Sequence, residues 1–276
     1  NGVIIITTKQ GQSGAPRVNL SVQTGINDVS LADELRPLNT AEYLELMREG
    51  LINSGDATNE AEANAIINDN IADPSIDTDW FDEITQQGNF TQTNLSVSGG
   101  NDKTTFFASG GYQQNDGTII STDFERLSGR LNLTTEMSDW LNIGVNVSGS
   151  HTTQNTVPGG GAFANPVRSI FRFVPVQPVY NPDGSYNLAI NAGFNPIGEA
   201  IENTDRSEIT NLLGSINAEV KLPLDGLTYV PYVSINRIVG QDATFFIPIL
   251  RSRASRNGYG ESDFDIRNNW IARNML

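Results

Sequence analysis

Five acidic residues follow one another closely between residues 69 and 82, and carboxylates are ligands that Ca²⁺ prefers. They are Asp69, Asp73, Asp77, Asp79 and Asp82. A calcium loop of the EF-hand type needs acidic or amide side chains at alternate positions followed by glycine, and this spacing is absent here. Aspartate is also a common residue of turns and helix caps. We therefore predict a run of turns and caps here and no metal site.

The residues that enzymes use as nucleophiles and general bases show no recognisable arrangement. His151 is the only histidine, cysteine is absent, and neither G-x-S-x-G nor H-E-x-x-H occurs. The 32 acidic residues offer many pairs that could hydrolyse a glycoside, but their placement singles out none. The glycine-rich stretch 159–163 lacks the Lys-Ser/Thr ending of a phosphate loop. We predict a protein that is not an enzyme and has no cofactor, with a surface glycoside hydrolase as an alternative.

Aromatic residues cluster in the proline-rich segment 165–186, which reads NPVRSIFRFVPVQPVYNPDGSY. Aromatic faces in a wet cleft can stack on sugar rings or peptide groups, and they can equally pack one loop onto another. The candidates for contact with a substrate or with a partner are Phe171, Phe173, Tyr180 and Tyr186. Asp183, in the sequence NPDGS, is predicted to be a turn residue.

The elements that position these residues are indicated by alternating apolar and polar side chains. Leu95 and Val97 alternate with Asn94 and Ser96, which is the period of two residues that β-strands have. The same pattern predicts eight strands, at 17–26, 93–99, 104–113, 126–134, 140–150, 211–222, 227–236 and 267–276. A short run of β-branched residues at 2–9 predicts one more strand, buried on both faces.

The composition narrows the class of protein. The net charge of −15 argues against nucleic-acid binding. The chain contains no run of 18 apolar residues, which argues against a transmembrane helix, and no signal peptide is visible. Residue 1 is Asn rather than Met, which suggests a processed chain or a piece of a longer protein.

Short and long connections alternate between the predicted strands. The short ones lie near residues 100–103, 135–139 and 223–226, and the long ones span 27–89, 115–125, 153–209 and 240–266. The first long connection contains two predicted helices, one of them capped by Asn39 with Glu42 three residues later. In an antiparallel meander this alternation places all short turns at one end, as in outer-membrane β-barrels with tight periplasmic turns and long extracellular loops. The Asn, Ser and Gly face would then line the lumen, and the aliphatic face would meet lipid.

Several stretches resemble the SusC/RagA-type TonB-linked outer-membrane transporters, and the resemblance covers most of the chain. They are NGVIIITTKQG, LNTAEYLELMREG, the long stretch from TDWFDEITQQ to ERLSGRLNL, and PVYNPDGSYN. The resemblance implies a bacterial outer-membrane protein with a plug domain inside a barrel of about 22 strands. Residues 1–12 would end the plug and residues 13–276 would begin the barrel, so that the chain is an internal fragment with about eight barrel strands.

The same resemblance implies function and partners. Members of the family import glycan or peptide fragments, using energy from the TonB complex. They work with a SusD-like surface lipoprotein that acts as a lid, which the four aromatic candidates could contact. The all-β fold class also fits an alternative, an extracellular β-sandwich adhesin or carbohydrate-binding module without transport. Such a module would not need alternating connection lengths or rows of lipid-facing aliphatic side chains.

Overall fold

The structure is a computed structural model that describes residues 9–157, 159, 165–189, 194–250 and 257–276. Residues 1–8, and with them nearly all of the predicted plug strand, lie outside the described residues. Most of the glycine-rich stretch 159–163 lies outside them as well. The domain boundary at residue 12 therefore stays a prediction.

Eight antiparallel strands form one sheet in which each strand pairs with its neighbours along the chain. The strands are β1 Gly14–Asn27, β2 Gly88–Gly100, β3 Thr104–Asp116, β4 Asp123–Ser138, β5 Leu141–Asn155, β6 Thr204–Lys221, β7 Thr228–Phe246 and β8 Tyr259–Met275. All eight predicted strands are confirmed. Several are longer than predicted, and β7 and β8 gain the most residues, at the ends that they share with the 247–258 connection.

The strand register keeps apolar and polar residues in separate rows. Leu131 pairs with Ala108 on β3 and with Val147 on β5. One residue further along, Asn132 pairs with Asn146. Because successive side chains of a strand point to opposite faces, this register gives the sheet one aliphatic face and one polar face, as the alternation predicted.

The connections fall at two ends of the sheet. At one end lie 101–103, 139–140 and 222–227, and at the other lie 28–87, 117–122, 156–203 and 247–258. We call these the short-turn end and the long-loop end. The prediction that short and long connections alternate strictly is wrong at 117–122. This connection is no longer than 222–227, because β3 and β4 continue their ladder as far as the pair Asp116–Asp123.

Helices occur only in the long connections among the described residues. They are α1 Thr40–Ser54, α2 Glu60–Asn70, α3 Trp80–Ile84, α4 Pro166–Ser169 and α5 Pro196–Glu202. The predicted cap of α1 is confirmed: Asn39 Oδ1 accepts a hydrogen bond from the Glu42 amide, and the Glu42 carboxylate accepts one from the Asn39 amide, both at 3.0 Å. In the part of the chain that the structure describes, no helix is long and apolar enough to cross a membrane.

Most of the buried apolar side chains among the described residues lie in the long connections, and Phe107 on β3 and Phe246 on β7 are the exceptions. One cluster, which we call the loop core, contains Trp80, Phe81, Ile84, Ile170, Phe173, Val179 and Ile197. Two connections, 28–87 and 156–203, supply its members. Ile119 and Ile120 of the 117–122 connection pack against them. Three connections therefore share one hydrophobic core at the long-loop end of the sheet.

The sheet is open in the described residues. The seven pairings run from β1–β2 to β7–β8, and no described residue pairs β8 with β1. The outer edge of each of these two strands therefore offers unpaired backbone groups to a further strand. An eight-stranded antiparallel sheet with long, helix-containing connections at one end is the partial barrel that the sequence predicted.

Candidate functional site

The polar face of the sheet lines an open cavity of about 930 Å³. Its lining side chains come from β1 to β7 and are mainly hydroxyls and amides: Asn19, Ser21, Asn94, Ser96, Ser109, Ser128, Ser148, Ser150, Asn211 and Asn236. Three cations join them, namely Lys9, Arg126 and Arg130. This wall can hydrogen-bond to a polar partner over a long surface.

The segment before β1 lies on this polar face. The Lys9 carbonyl oxygen accepts a hydrogen bond of 2.5 Å from Asn132 Nδ2. Gly11 touches β3 so closely that a Cβ atom there would stand 2.3 Å from the Phe106 backbone nitrogen. Only glycine allows that approach. The described chain therefore enters β1 from the inner side of the sheet, where the resemblance expects the plug.

At the long-loop end, hydrogen bonds join the three connections of the loop core. The Thr78 amide donates to Pro175 O at 2.8 Å, and Trp80 Nε1 donates to Val174 O at 3.1 Å. The Ile120 amide donates to Ile84 O at 3.0 Å. We call the unit formed by the loop core and these bonds the loop cap. Its connections are held against one another, so they present a defined surface.

The structure separates the four aromatic candidates of the sequence analysis. Phe173 is only 5% exposed and packs on Trp80, with 5.2 Å between ring centroids, so it is a member of the loop core. Phe171 is 60% exposed and Tyr180 is 46% exposed. Tyr180 stacks on Tyr186 at 5.5 Å with 30° between the ring planes. Phe171 and the tyrosine pair therefore remain the candidates that a substrate or a lid protein can reach.

A tight hairpin at residues 178–187 holds the tyrosine pair. The Asn181 amide donates to Ser185 O at 2.8 Å, and Gly184 takes a positive φ of 84° at the turn. Asp183 accepts hydrogen bonds from the Ser185 hydroxyl and amide, which lower the pKa of its carboxyl group. Asp183 is thus a turn residue, as predicted.

Tyr186 is tied to helix α5. Its hydroxyl donates a hydrogen bond of 2.9 Å to the Glu202 carboxylate. Partial burial, followed by this hydrogen bond and the nearby negative charge, raises the pKa of Tyr186 to about 12. The ring is therefore fixed in place while the outer face of Tyr180 stays exposed.

A hollow of about 510 Å³ lies beside the hairpin. Leu188, Ile249 and Leu250 give it apolar walls, with Tyr186 and Ala189 at its side. Ile249 is 62% exposed. This contribution could not be predicted from the sequence, because Ile249 belongs to a separate connection, 247–258, and carries no local signal that links it to residues 178–189.

The other residues singled out from the sequence have structural roles. Asp73 accepts from the Ser75 amide and hydroxyl, and these bonds lower its pKa. Asp77 accepts from the Thr40 amide at 2.8 Å, and Asp79 caps α3. His151 bonds to Thr210 across the β5–β6 pair at 2.9 Å. Among the described residues no group of three or more acidic or histidine side chains could hold a metal ion.

With this geometry established, the sequence can be compared with known proteins. The chain is 28% identical, over its whole length, to TonB-dependent receptor P3 of Formosa agariphila. It is 24% identical, over 80% of its length, to the TonB-dependent receptor SusC of Bacteroides thetaiotaomicron. The chain is similar to part of a SusC/RagA-type TonB-dependent receptor. The resemblance seen in the sequence is thereby confirmed, although no family model matches the chain.

Solved structures agree on the fold. The structure of the RagAB peptide transporter superposes with a TM-score of 0.73 over 96% of this chain, at 18% sequence identity. The RagAB peptide importer in its open-open state gives a TM-score of 0.66. The chain spans 26% of receptor P3, 22% of SusC and 33% of the first RagAB chain. The curated relatives are named receptors, and the solved structures are named a peptide transporter and a peptide importer.

Proposed function

We propose that the chain forms the first part of the barrel of an outer-membrane receptor that imports nutrient oligomers with energy supplied through TonB. One observation carries the proposal: a sheet with a polar inner wall and an aliphatic outer face occurs in a chain whose relatives are named TonB-dependent receptors. A β-sandwich adhesin has two packed sheets, and the described residues form one.

The proposed location is the bacterial outer membrane. Lipid offers no partner to backbone groups, so strands can span it only in a closed barrel. Further strands of the intact receptor would pair with the free edges of β1 and β8. The aliphatic row through Leu131 and Val147 would face lipid, and the long-loop end would face the outside of the cell.

The proposed cargo is a glycan or peptide fragment, and the proposed partner is a SusD-like surface lipoprotein over the long-loop end. RagAB is named a peptide transporter, which supports cargo of that size class. Phe171 and Tyr180 offer exposed aromatic faces at this end, next to the apolar hollow. The TonB complex would be reached through a part of the receptor outside this chain.

Gene deletion in the host tests the proposal. We expect the deletion strain to lose growth on one class of oligomeric nutrient and to regain it with the full-length receptor. Collapse of the proton-motive force should stop uptake in the complemented strain. Undiminished growth of the deletion strain on every oligosaccharide and peptide mixture offered would contradict import as the function.

Substitutions at the loop cap then test the contact residues. The variants Phe171→Ala and Tyr180→Ala should lower uptake while the receptor reaches the cell surface in normal amount. The matched control is Leu46→Ala, which removes another exposed apolar side chain, 54% exposed, on α1. Equal uptake by all three variants would remove the two aromatic residues from the proposed contact surface.

A further inference from the structure

The charges that line the inner cavity differ in sign from the net charge of the whole chain. Aspartate and glutamate outnumber lysine and arginine by 32 to 17. The charged residues that line the inner cavity are nevertheless Lys9, Arg126 and Arg130, and no described Asp or Glu lines it. The wall of the cavity is therefore a local cationic surface in an acidic protein.

The alternation of strand β4 produces this separation of charge. Arg126 pairs with Gln113 and Thr152, so neutral side chains flank it on the inner face. The neighbouring acid, Glu125, belongs to the opposite row of the strand together with Leu127. The carboxylate nearest in sequence thus points away from the cavity.

The second arginine has equally neutral surroundings. Arg130 pairs with Ser109 on β3 and Ser148 on β5. Among the described residues, neither Arg126 nor Arg130 has an ion-pair or hydrogen-bond partner. Both guanidinium groups are exposed to the cavity, where a positively charged wall of low dielectric constant concentrates anions.

The distance between the two arginines favours a long anion with several negative charges over a small one. They are four residues apart on one face of a strand, which corresponds to roughly 13 Å between their Cα atoms. Ser128 lies between them on the same face and contributes a hydroxyl group. One small anion engages a single arginine, whereas an extended chain with several carboxylates engages both.

We propose that Arg126 and Arg130 form a selectivity wall for oligomers that carry carboxylate groups. This inference rests on the proposed import function and names its substrate class. Acidic peptides and uronate-containing oligosaccharides share the required chemistry. The neighbouring serine and asparagine side chains supply donors and acceptors for the uncharged groups of the same cargo.

The test uses the full-length receptor in a strain that lacks its own copy. Uptake is measured for four labelled oligomers: an acidic and a neutral peptide of one length, and an acidic and a neutral oligosaccharide of one length. The wild-type receptor should take up the acidic member of one pair faster than the neutral member. The pair that shows the preference identifies the source of the carboxylates.

Variants then assign the preference to the two arginines. The double variant Arg126→Gln, Arg130→Gln should lower uptake of the acidic oligomer roughly tenfold or more, the scale of electrostatic steering, and leave the neutral oligomer unchanged. The charge-conserving double variant with lysine should retain most of the preference. Arg237→Gln is the control, because Arg237 pairs with Leu212 on the outer row, away from the cavity.

Two outcomes would overturn the inference while import stands. One is a wild-type receptor that takes up neutral oligomers as fast as acidic ones. The other is a glutamine variant that slows both kinds equally, which would show that the arginines only hold the fold. A wild-type receptor that imports none of the four oligomers would contradict the proposed function itself.

Discussion

Two phenylalanines that stand two residues apart should respond to truncation in opposite ways. Phe173→Ala removes a ring that is 5% exposed and packs on Trp80, and Phe→Ala changes in a core cost about 3–5 kcal/mol. Phe171→Ala removes a ring that is 60% exposed, and surface changes usually stay within about 0.5 kcal/mol. The difference should appear in the stability of the loop cap.

Hydrogen exchange on the full-length receptor measures that local stability. The Thr78 amide is a suitable probe, because its bond to Pro175 O joins two connections of the loop cap. A loss of about 3 kcal/mol speeds exchange by roughly a hundredfold, at 1.4 kcal/mol for each factor of ten. Exchange at Leu131, in the middle of β4, should not change, since local opening of the cap leaves the strand ladder intact.

Two results would refute this reasoning. Unchanged exchange at Thr78 in Phe173→Ala would show that the loop core does not hold the connections together. Equal acceleration by Phe171→Ala would show that the exposed ring carries as much packing energy as the buried one, against the burial of the two side chains.

Three further predictions concern topology and titration. The chain has no native cysteine. A cysteine introduced at Ala65 on α2 should react with an impermeant thiol reagent on whole cells, whereas one introduced at Asp225 in the 222–227 turn should not. Labelling only at position 225 would show that the topology is inverted. Spin labels at Val145 and Asn146 should differ in access to lipid-soluble and water-soluble quenchers, and equal access would contradict a lipid-facing row. Phenolate absorption of Tyr186, assigned by difference with Tyr186→Phe, should rise near pH 12. Because the pKa is raised in the folded state, the contribution of Tyr186 to folding stability is complete below the usual tyrosine pKa of about 10 and is lost as the pH passes 12. A titration near pH 10 would contradict burial of the ring against a carboxylate.

The sheet was predictable because each face has a single environment. On β4 and β5 the alternation of Leu131 and Val147 with polar neighbours fixes which residues share a row, and the register follows from it. The ends of the strands were predicted less accurately where the contrast between apolar and polar rows ends. Beyond Gly240 on β7 the residues Gln241 and Asp242 are both polar, so the alternation disappears although the ladder continues to Phe246.

The loop cap could be predicted only in part. Helix α1 has a local signal in its capping box, whereas α3 has five residues and lies in a segment that was predicted to be turns. Asp79 caps this helix locally, but the burial of Trp80 and Phe81 depends on distant connections. The same holds for Phe171 and Phe173, whose contrast in burial depends on partners that no sequence spacing identifies.

The inner wall shows the same limit. The alternation assigned Arg130 to the lumen, but the absence of carboxylates around it depends on the register of four strands. A one-residue slip between β3 and β4 would have exchanged the faces. The electrostatic character of the cavity is therefore a property of the assembled sheet.

The loop cap also sets an order of events during folding. Hairpins such as β2–β3 join residues that are close in the chain. The bond from Trp80 Nε1 to Val174 O spans 94 residues, and the bond from the Thr78 hydroxyl to Gln177 O spans 99. Contacts between distant residues form late, because the intervening chain must first be brought together. Strands β2 to β5 can therefore pair with one another before the loop cap is complete. The sheet is thus built from strands that are neighbours in the chain, whereas the loop cap is complete only when the segment after β5 returns to pack on helix α3.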